Sequence, residues 1–79
     1  MIEKILAFVV KQIVDKPAVI RVSLDSKDGK PLVKVLVDPT DISRVIGSEG
    51  RVFRALRGLT ASLSQKQFGE LYDLVVDMM

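Results

Sequence analysis

"VIGSEGRVFRALRGL", Val45–Leu59, is the stretch on which the reading of this chain turns. Two glycines three apart, Gly47 and Gly50, follow the apolar pair Val45–Ile46 and precede Arg51. At an average glycine content a chain of this length holds such a spacing roughly 0.4 times by chance, so the spacing alone decides little. Its flanks decide more. After the second glycine, Val52, Leu56, Leu59 and Leu63 recur at helical spacing with Arg51, Arg54 and Arg57 nearly opposite, which predicts a helix over 51–64. Before the first glycine, Asp38 can cap, Pro39 suits a first helical position and Asp41 lies in the first turn at the positive end of the dipole. That predicts a short helix which Gly47 ends. The loop Gly47-Ser48-Glu49-Gly50 therefore joins two helices, and Gly50 opens the longer one. The first N–H groups of a helix lack internal partners. With no Cβ in the way and a positive dipole end, they form a site for a phosphodiester. Arg51 adds a charge-assisted contact.

Outward from the loop, Ile2, Ile5, Leu6, Val9 and Ile13 predict an amphipathic helix over 2–15, ended by "DKP". Phe8 falls toward its polar side, as flank of the core or as a partner contact. "AVIRVSLD" (18–25) alternates, with Ile20, Val22 and Leu24 on one face, and reads as a strand buried on one side. "DSKDGK" (25–30) carries the Asp-Gly hairpin signal. "PLVKVLVD" (31–38) is apolar apart from Lys34 and its terminal Asp38, as a central strand is. "SQKQFGE" (64–70) reads as a loop and "LYDLVVDM" (71–78) as a last strand. The order is α-β-β-α-α-β. A hairpin followed by a helical crossover gives a three-stranded mixed sheet, with strand 32–37 in the centre and three helices on one face, an α+β fold. Gly58 inside the third helix costs about 1 kcal/mol relative to alanine; a close backbone approach is the one reason the sequence suggests for it.

With 79 residues the chain is one small domain, 1–79, and 48% apolar residues favour a packed core. It has neither cysteine nor histidine. Disulfides, thiolate chemistry, nucleophile–histidine pairs and the usual histidine metal sites are excluded, and the composition fits a reducing cytoplasm. No carboxylates converge, so neither an enzyme nor a metal or other cofactor is expected. The apolar run Ile5–Val10 is too short for a bilayer span of ~20 residues. Net charge is only +2, but Arg44, Arg51, Arg54, Arg57 and Lys66 face a single acid, Glu49, between 44 and 66. This is either a solvated helix face or a patch for an anionic partner. The three phenylalanines and one tyrosine are scattered over two helices, a loop and a strand, which argues against reading bases on an aromatic sheet.

The segment "VIGSEGRVFRALRGL" within this element order resembles a type II KH domain, and the whole chain resembles the KhpA (YlqC) family of small bacterial KH-domain proteins, through the run "VIG-x-x-GR" and "A-[IL]-R". The resemblance implies a post-transcriptional, chaperone-like protein that binds single-stranded RNA. The KH mode clamps four nucleotides at the G-x-x-G loop. Carried onto this sequence, Gly47, Ser48, Glu49 and Gly50 are the clamp. Val45 and Ile46 line an apolar groove beside it, and Arg51 faces the backbone. Arg54 and Arg57 lie farther along the outward face, solvated or attracting RNA at long range. Val45, Ile46 and Val52 also fit a core role. KH loops commonly carry a basic residue between the glycines; here Ser48 and Glu49 stand there, and Glu49 repels phosphate by about 1 kcal/mol at 4 Å in water. The resemblance further implies self-association and pairing with a larger KH-containing protein, KhpB (Jag-like). That makes a protein-interaction module the alternative to an RNA binder, with Phe53 and the apolar residues beside the loop as candidate contacts.

Overall fold

Val33, Val35 and Val37 alternate along one strand and are wholly buried. Each such side chain contributes about 1.5–3 kcal/mol relative to exposure, so this strand anchors the sheet. The computed structural model describes residues 1–79. Helix α1 spans Ile2–Lys11, strands β1 and β2 span Arg21–Lys27 and Lys30–Val37, α2 spans Ile42–Ile46, α3 spans Arg51–Phe68 and β3 spans Asp73–Met78. The sheet order is β1-β2-β3. β1 runs antiparallel to β2 with Val22 opposite Val35, and β3 runs parallel to β2 with Leu74 beside Val33. The α+β fold, three helices with a mixed three-stranded sheet centred on β2, is the one the sequence implies. The core joins Ile2, Leu6 and Val10 of α1 to the β2 valines, Val45 of α2, Leu56 of α3 and Leu74 of β3. The other sheet face carries Arg21, Asp25, Lys34, Asp73 and Asp77 around Leu32, Leu36 and Val75. No helix is long and apolar enough to cross a membrane.

Several element ends differ from expectation, each for a tertiary reason. α1 stops at Lys11 rather than near residue 15. Two amides just beyond it, those of Asp15 and Lys16, donate to the two carboxylate oxygens of Asp41 at 2.9 and 3.0 Å instead of to a preceding helical carbonyl. Strand pairing continues through Ser26 and Lys27, which leaves only Asp28–Gly29 as the hairpin turn. α3 does not stop at Ser64 but runs through the segment read as a loop to Phe68. Nothing in "SQKQ" breaks a helix, and its side chains are used: Gln67 Oε1 accepts the Ile2 N–H, and Ser64 Oγ accepts the Tyr72 N–H. Thr60 and Ser64, not Leu59 and Leu63, are the deepest residues of that half of α3. Thr60 Oγ1 donates to the Leu56 carbonyl, so the buried hydroxyl is satisfied.

Phe8 is 67% exposed, so it neither enters nor flanks the core, while Val10, one helical turn beyond Leu6, does enter. Leu24 is also exposed, because β1 is an edge strand. Asp38 caps the turn before α2 as read from sequence. The Thr40 hydroxyl and amide donate to its carboxylate and hold its pKa below the usual aspartate range. No close approach requires Gly58: a Cβ there would meet nothing within 4 Å. Gly58→Ala is expected to raise stability by about 0.5–1 kcal/mol, through helix propensity and a less flexible unfolded chain. An unchanged or lower urea midpoint would contradict it.

Candidate nucleic-acid interface

The α2–α3 connection is built from three backbone conformations that side chains rarely adopt. Gly47 sits at φ 77°, ψ 175°, Gly50 at φ 73°, ψ 17°, and Glu49 between them at φ 55°. They fold Ser48–Gly50 into a single 3₁₀ turn that leads straight into α3. The Gly47 N–H closes α2 on the Ser43 carbonyl at 2.9 Å, and the Gly50 N–H bonds to the Gly47 carbonyl at 3.2 Å. The Arg51 N–H bonds to the Ser48 carbonyl. The first amides of α3 are therefore partly satisfied by the loop itself. Within the loop itself, the N–H groups left over belong to Ser48 and Glu49. They open the turn, ahead of any carbonyl within it, and donate to no other turn or loop carbonyl. The donors available to an anion are thus those of the two variable residues, one step earlier than the sequence places them.

Gly47 also has a different reason from the one the sequence suggests. A Cβ there would lie 2.4 Å from Val52 Cγ2 and 2.8 Å from Val52 Cβ. The space freed by the missing side chain is filled by the protein's own valine, which fixes the loop against α3. At Gly50 a Cβ would meet only Arg54 Nη1, at 3.4 Å. This glycine is the one that leaves its side of the loop open.

The charged residues are arranged by folding. Arg54 Nη1 donates to the Glu49 carbonyl at 2.8 Å, so this exposed arginine braces the loop rather than pointing freely to solvent. Arg51 Nη2 lies 3.8 Å from Glu49 Oε2, both side chains well exposed. Arg44 pairs with Asp15 at 2.8 Å and lies 3.5 Å from Asp41, and Arg57 pairs with Asp73 at 2.8 Å. Of the five cations that form a positive run in sequence, three acquire acidic neighbours from elsewhere in the chain or from the loop, and the local charge excess shrinks.

Ser48, Glu49, Arg51 and Arg54 are exposed, and Ile46, Gly47 and Gly50 are half-buried beside them. Val45 is a correction: it is wholly buried in the core and lines no groove, because α2 is short and turns that residue onto the sheet. None of the surface cavities is lined by residues of this loop. The largest, about 360 Å³, lies at the hairpin end of the open sheet face among Lys27, Lys30, Asp28 and Asp73. The loop is a protruding backbone surface with the half-buried apolar residues Ile46 and Val52 beside it, suited to a chain laid across it rather than a small molecule enclosed in it. Sequence reasoning missed Asp41, whose carboxylate ties the end of α1 to the start of α2. The first-turn acid was legible, but which amides it would cap was not.

Comparison with known proteins agrees with this architecture. The family model described as "KhpA/KhpB, KH domain" matches residues 3–76. The chain is similar to the RNA-binding protein KhpA of Leifsonia xyli subsp. xyli, 42% identical over 64 residues that cover 81% of this chain and 84% of that protein. It is similar to the RNA-binding protein KhpA of Streptomyces coelicolor, 36% identical over 75 residues that cover 95% and 92% of the two chains. The protein of the same name from Treponema pallidum is 32% identical over 62 residues, 78% of each chain. The G-x-x-G loop between two helices, the mixed sheet behind it and a match over nearly the whole length lead to one conclusion: this chain belongs to the KhpA/KhpB family of KH domains.

Proposed function

We propose that this chain binds single-stranded RNA and holds its sugar-phosphate backbone on the Gly47–Gly50 loop. The observation that carries the reading is the pair of unengaged amides of Ser48 and Glu49 on an exposed loop, with Arg51 beside them. Two adjacent N–H donors and a guanidinium match a phosphodiester, and Ile46 offers an apolar edge to a base. Glu49 weakens the attraction. Its carboxylate lies toward Arg51 and takes up charge that would otherwise face phosphate, so binding is modest and sequence-tolerant. The names of the relatives, RNA-binding proteins, support the same reading. The role is non-enzymatic and cytoplasmic.

Glu49→Lys is expected to tighten binding of short single-stranded RNA about five- to tenfold at low salt. It should also steepen the salt slope by about 0.7 for one further neutralised phosphate. Gly50→Asp places a carboxylate where the backbone would pass and should weaken binding by a similar factor. The αL backbone it needs is one that aspartate tolerates. Amide chemical shifts on adding a short oligonucleotide should move most at Ser48 and Glu49. Unmoved shifts at 47–51 would refute phosphate contact at this loop.

Pairing with a second KH domain, in a homodimer or with a KhpB (Jag-like) protein, is the other reading, and the exposed Phe8 on the outer side of α1 favours it. Phe53, a candidate contact by sequence, is half-buried against the core. Light scattering of Phe8→Ser against the parent tests this: a dimer lost in the variant supports it, and a monomeric parent with or without RNA refutes it.

A further inference from the structure

Phe68 and Tyr72 are assigned by sequence to a loop and a strand; in the fold they are partners. Their rings stack with centroids 4.7 Å apart and planes 15° apart. Tyr72 also lines a shallow cavity of about 310 Å³ together with Arg57, Ala61, Leu71 and Asp73. That is the small end of the range for ligand pockets. Leu71 stands 64% exposed at its edge and Phe68 is 38% exposed. An aromatic stack with an exposed leucine and a half-buried alanine is an apolar shelf that the monomer leaves uncovered.

Its position relative to the loop is set by α3. Arg54, Arg57, Ala61 and Phe68 fall within about 60° of one another around the helix at 3.6 residues per turn. One strip of α3 therefore runs from the arginine that braces the loop to the aromatic pair. At a rise of about 1.5 Å per residue, Arg54 and Phe68 are about 21 Å apart along the axis. The strip carries two cations, Arg54 and Arg57.

We infer that this shelf is a second contact for single-stranded RNA, a stacking platform that takes one unpaired base of a strand extending from the loop along α3. A base fits the chemistry better than a phosphate does. Tyr72 is half-buried against the core and stacked on Phe68, and the part of it that lines the cavity offers an aromatic surface to a base; base–aromatic stacking accepts any base. Arg57 and Asp73 hold each other through two bonds, 2.8 Å from Nε and 3.4 Å from Nη2. The pair brings N–H donors and carboxylate lone pairs to the cavity edge together. A polar base edge uses both, whereas a phosphate there would meet Asp73. The platform extends the RNA reading of the loop and rests on it for the direction of the strand, but not for the chemistry of the cavity.

The test has separate reporters for the two contacts. Tyr72 is the only tyrosine and there is no tryptophan, so intrinsic fluorescence reports the platform. The amides of Ser48 and Glu49 report the loop. With a twelve-nucleotide oligouridine the parent chain should show tyrosine quenching, after correction for absorbance, together with shifts at the loop amides. Ala61→Glu should abolish the quenching, weaken the twelve-nucleotide strand about tenfold, as for loss of one stacked base, and leave a four-nucleotide strand bound at the loop. Leu71→Glu, at an exposed position, should do the same and guards against misfolding of the first variant. Loop shifts without quenching in the parent overturn the platform and leave the loop reading intact. Quenching without loop shifts overturns the loop reading and keeps the platform. Quenching that persists in both glutamate variants shows that the cavity is not the site. If Ala61→Glu splits a dimer and RNA leaves the tyrosine signal unmoved, the shelf is a protein interface and the inference fails.

Discussion

Gly47→Ala is expected to lower the stability of the domain by about 2–4 kcal/mol. The backbone there, φ 77° and ψ 175°, lies in a region essentially restricted to glycine, and a side chain in such a conformation costs about 1–3 kcal/mol. The new Cβ would in addition lie 2.4 Å from Val52 Cγ2, on a helix whose buried Leu56 belongs to the core. A domain of 79 residues has only about 4–12 kcal/mol in hand at ~0.05–0.15 kcal/mol per residue. The loss should therefore lower the thermal midpoint by at least about 8 °C. Trimming the obstacle separates the two causes. Val52→Ala in the Gly47→Ala background should cost at least about 1 kcal/mol less than in the parent, a coupling expected of residues in contact. Purely additive losses would show that Val52 is not what Gly47 accommodates. The consequence for function studies is practical: aspartate at Gly47 is a folding variant as well as a binding variant, and Gly50→Asp is the cleaner probe of the loop.

Asp41→Ala should be nearly as costly, about 2–4 kcal/mol. The Asp41 side chain is 1% exposed, and its two oxygens accept the amides of Asp15 and Lys16 while Arg44 Nε lies 3.5 Å away. Removing it strands two polar groups in a part-buried site, each at about 1–3 kcal/mol, and leaves Arg44 with Asp15 alone. Asp41→Asn keeps one carbonyl acceptor and should recover about half of the loss. Hydrogen exchange locates the effect: protection at Asp15 and Lys16 should fall in Asp41→Ala beyond the global loss. Stability within about 0.5 kcal/mol of the parent would show that water replaces the carboxylate and that α1 is not tied to α2 through this residue.

Both residues illustrate how much of the candidate site the sequence discloses. The glycine spacing, its place between two helices and the arginine after it were all legible, because they are local features of one continuous segment. The neighbour that makes Gly47 obligatory was legible only as an apolar helix position. Val45 looks the same in sequence whether it faces a groove or the core, and the packing of α2 on the sheet decides for the core. The end of α3 was misread for a related reason. Gln65, Lys66 and Gln67 carry no periodic apolar signal, yet Gln67 and Ser64 bond to Ile2 and Tyr72, and those long-range bonds hold the last turns in place. Phe68, assigned to a loop, thereby becomes a helical residue stacked on Tyr72.

Periodicity, turn chemistry and glycine placement by themselves determined the element order, the mixed sheet with its apolar central strand and the loop that presents backbone donors. These follow from interactions between residues a few positions apart, which a linear pattern records. The tertiary structure alone decided which loop donors are free, which arginines are paired with acids and which aromatic rings meet. The Gly50 and Arg51 amides are consumed by a turn whose shape depends on packing against Val52, and Arg44 and Arg57 are matched by acids 29 and 16 positions away along the chain. Coulomb attraction and stacking act through space, so their outcome waits on the fold that brings the partners together.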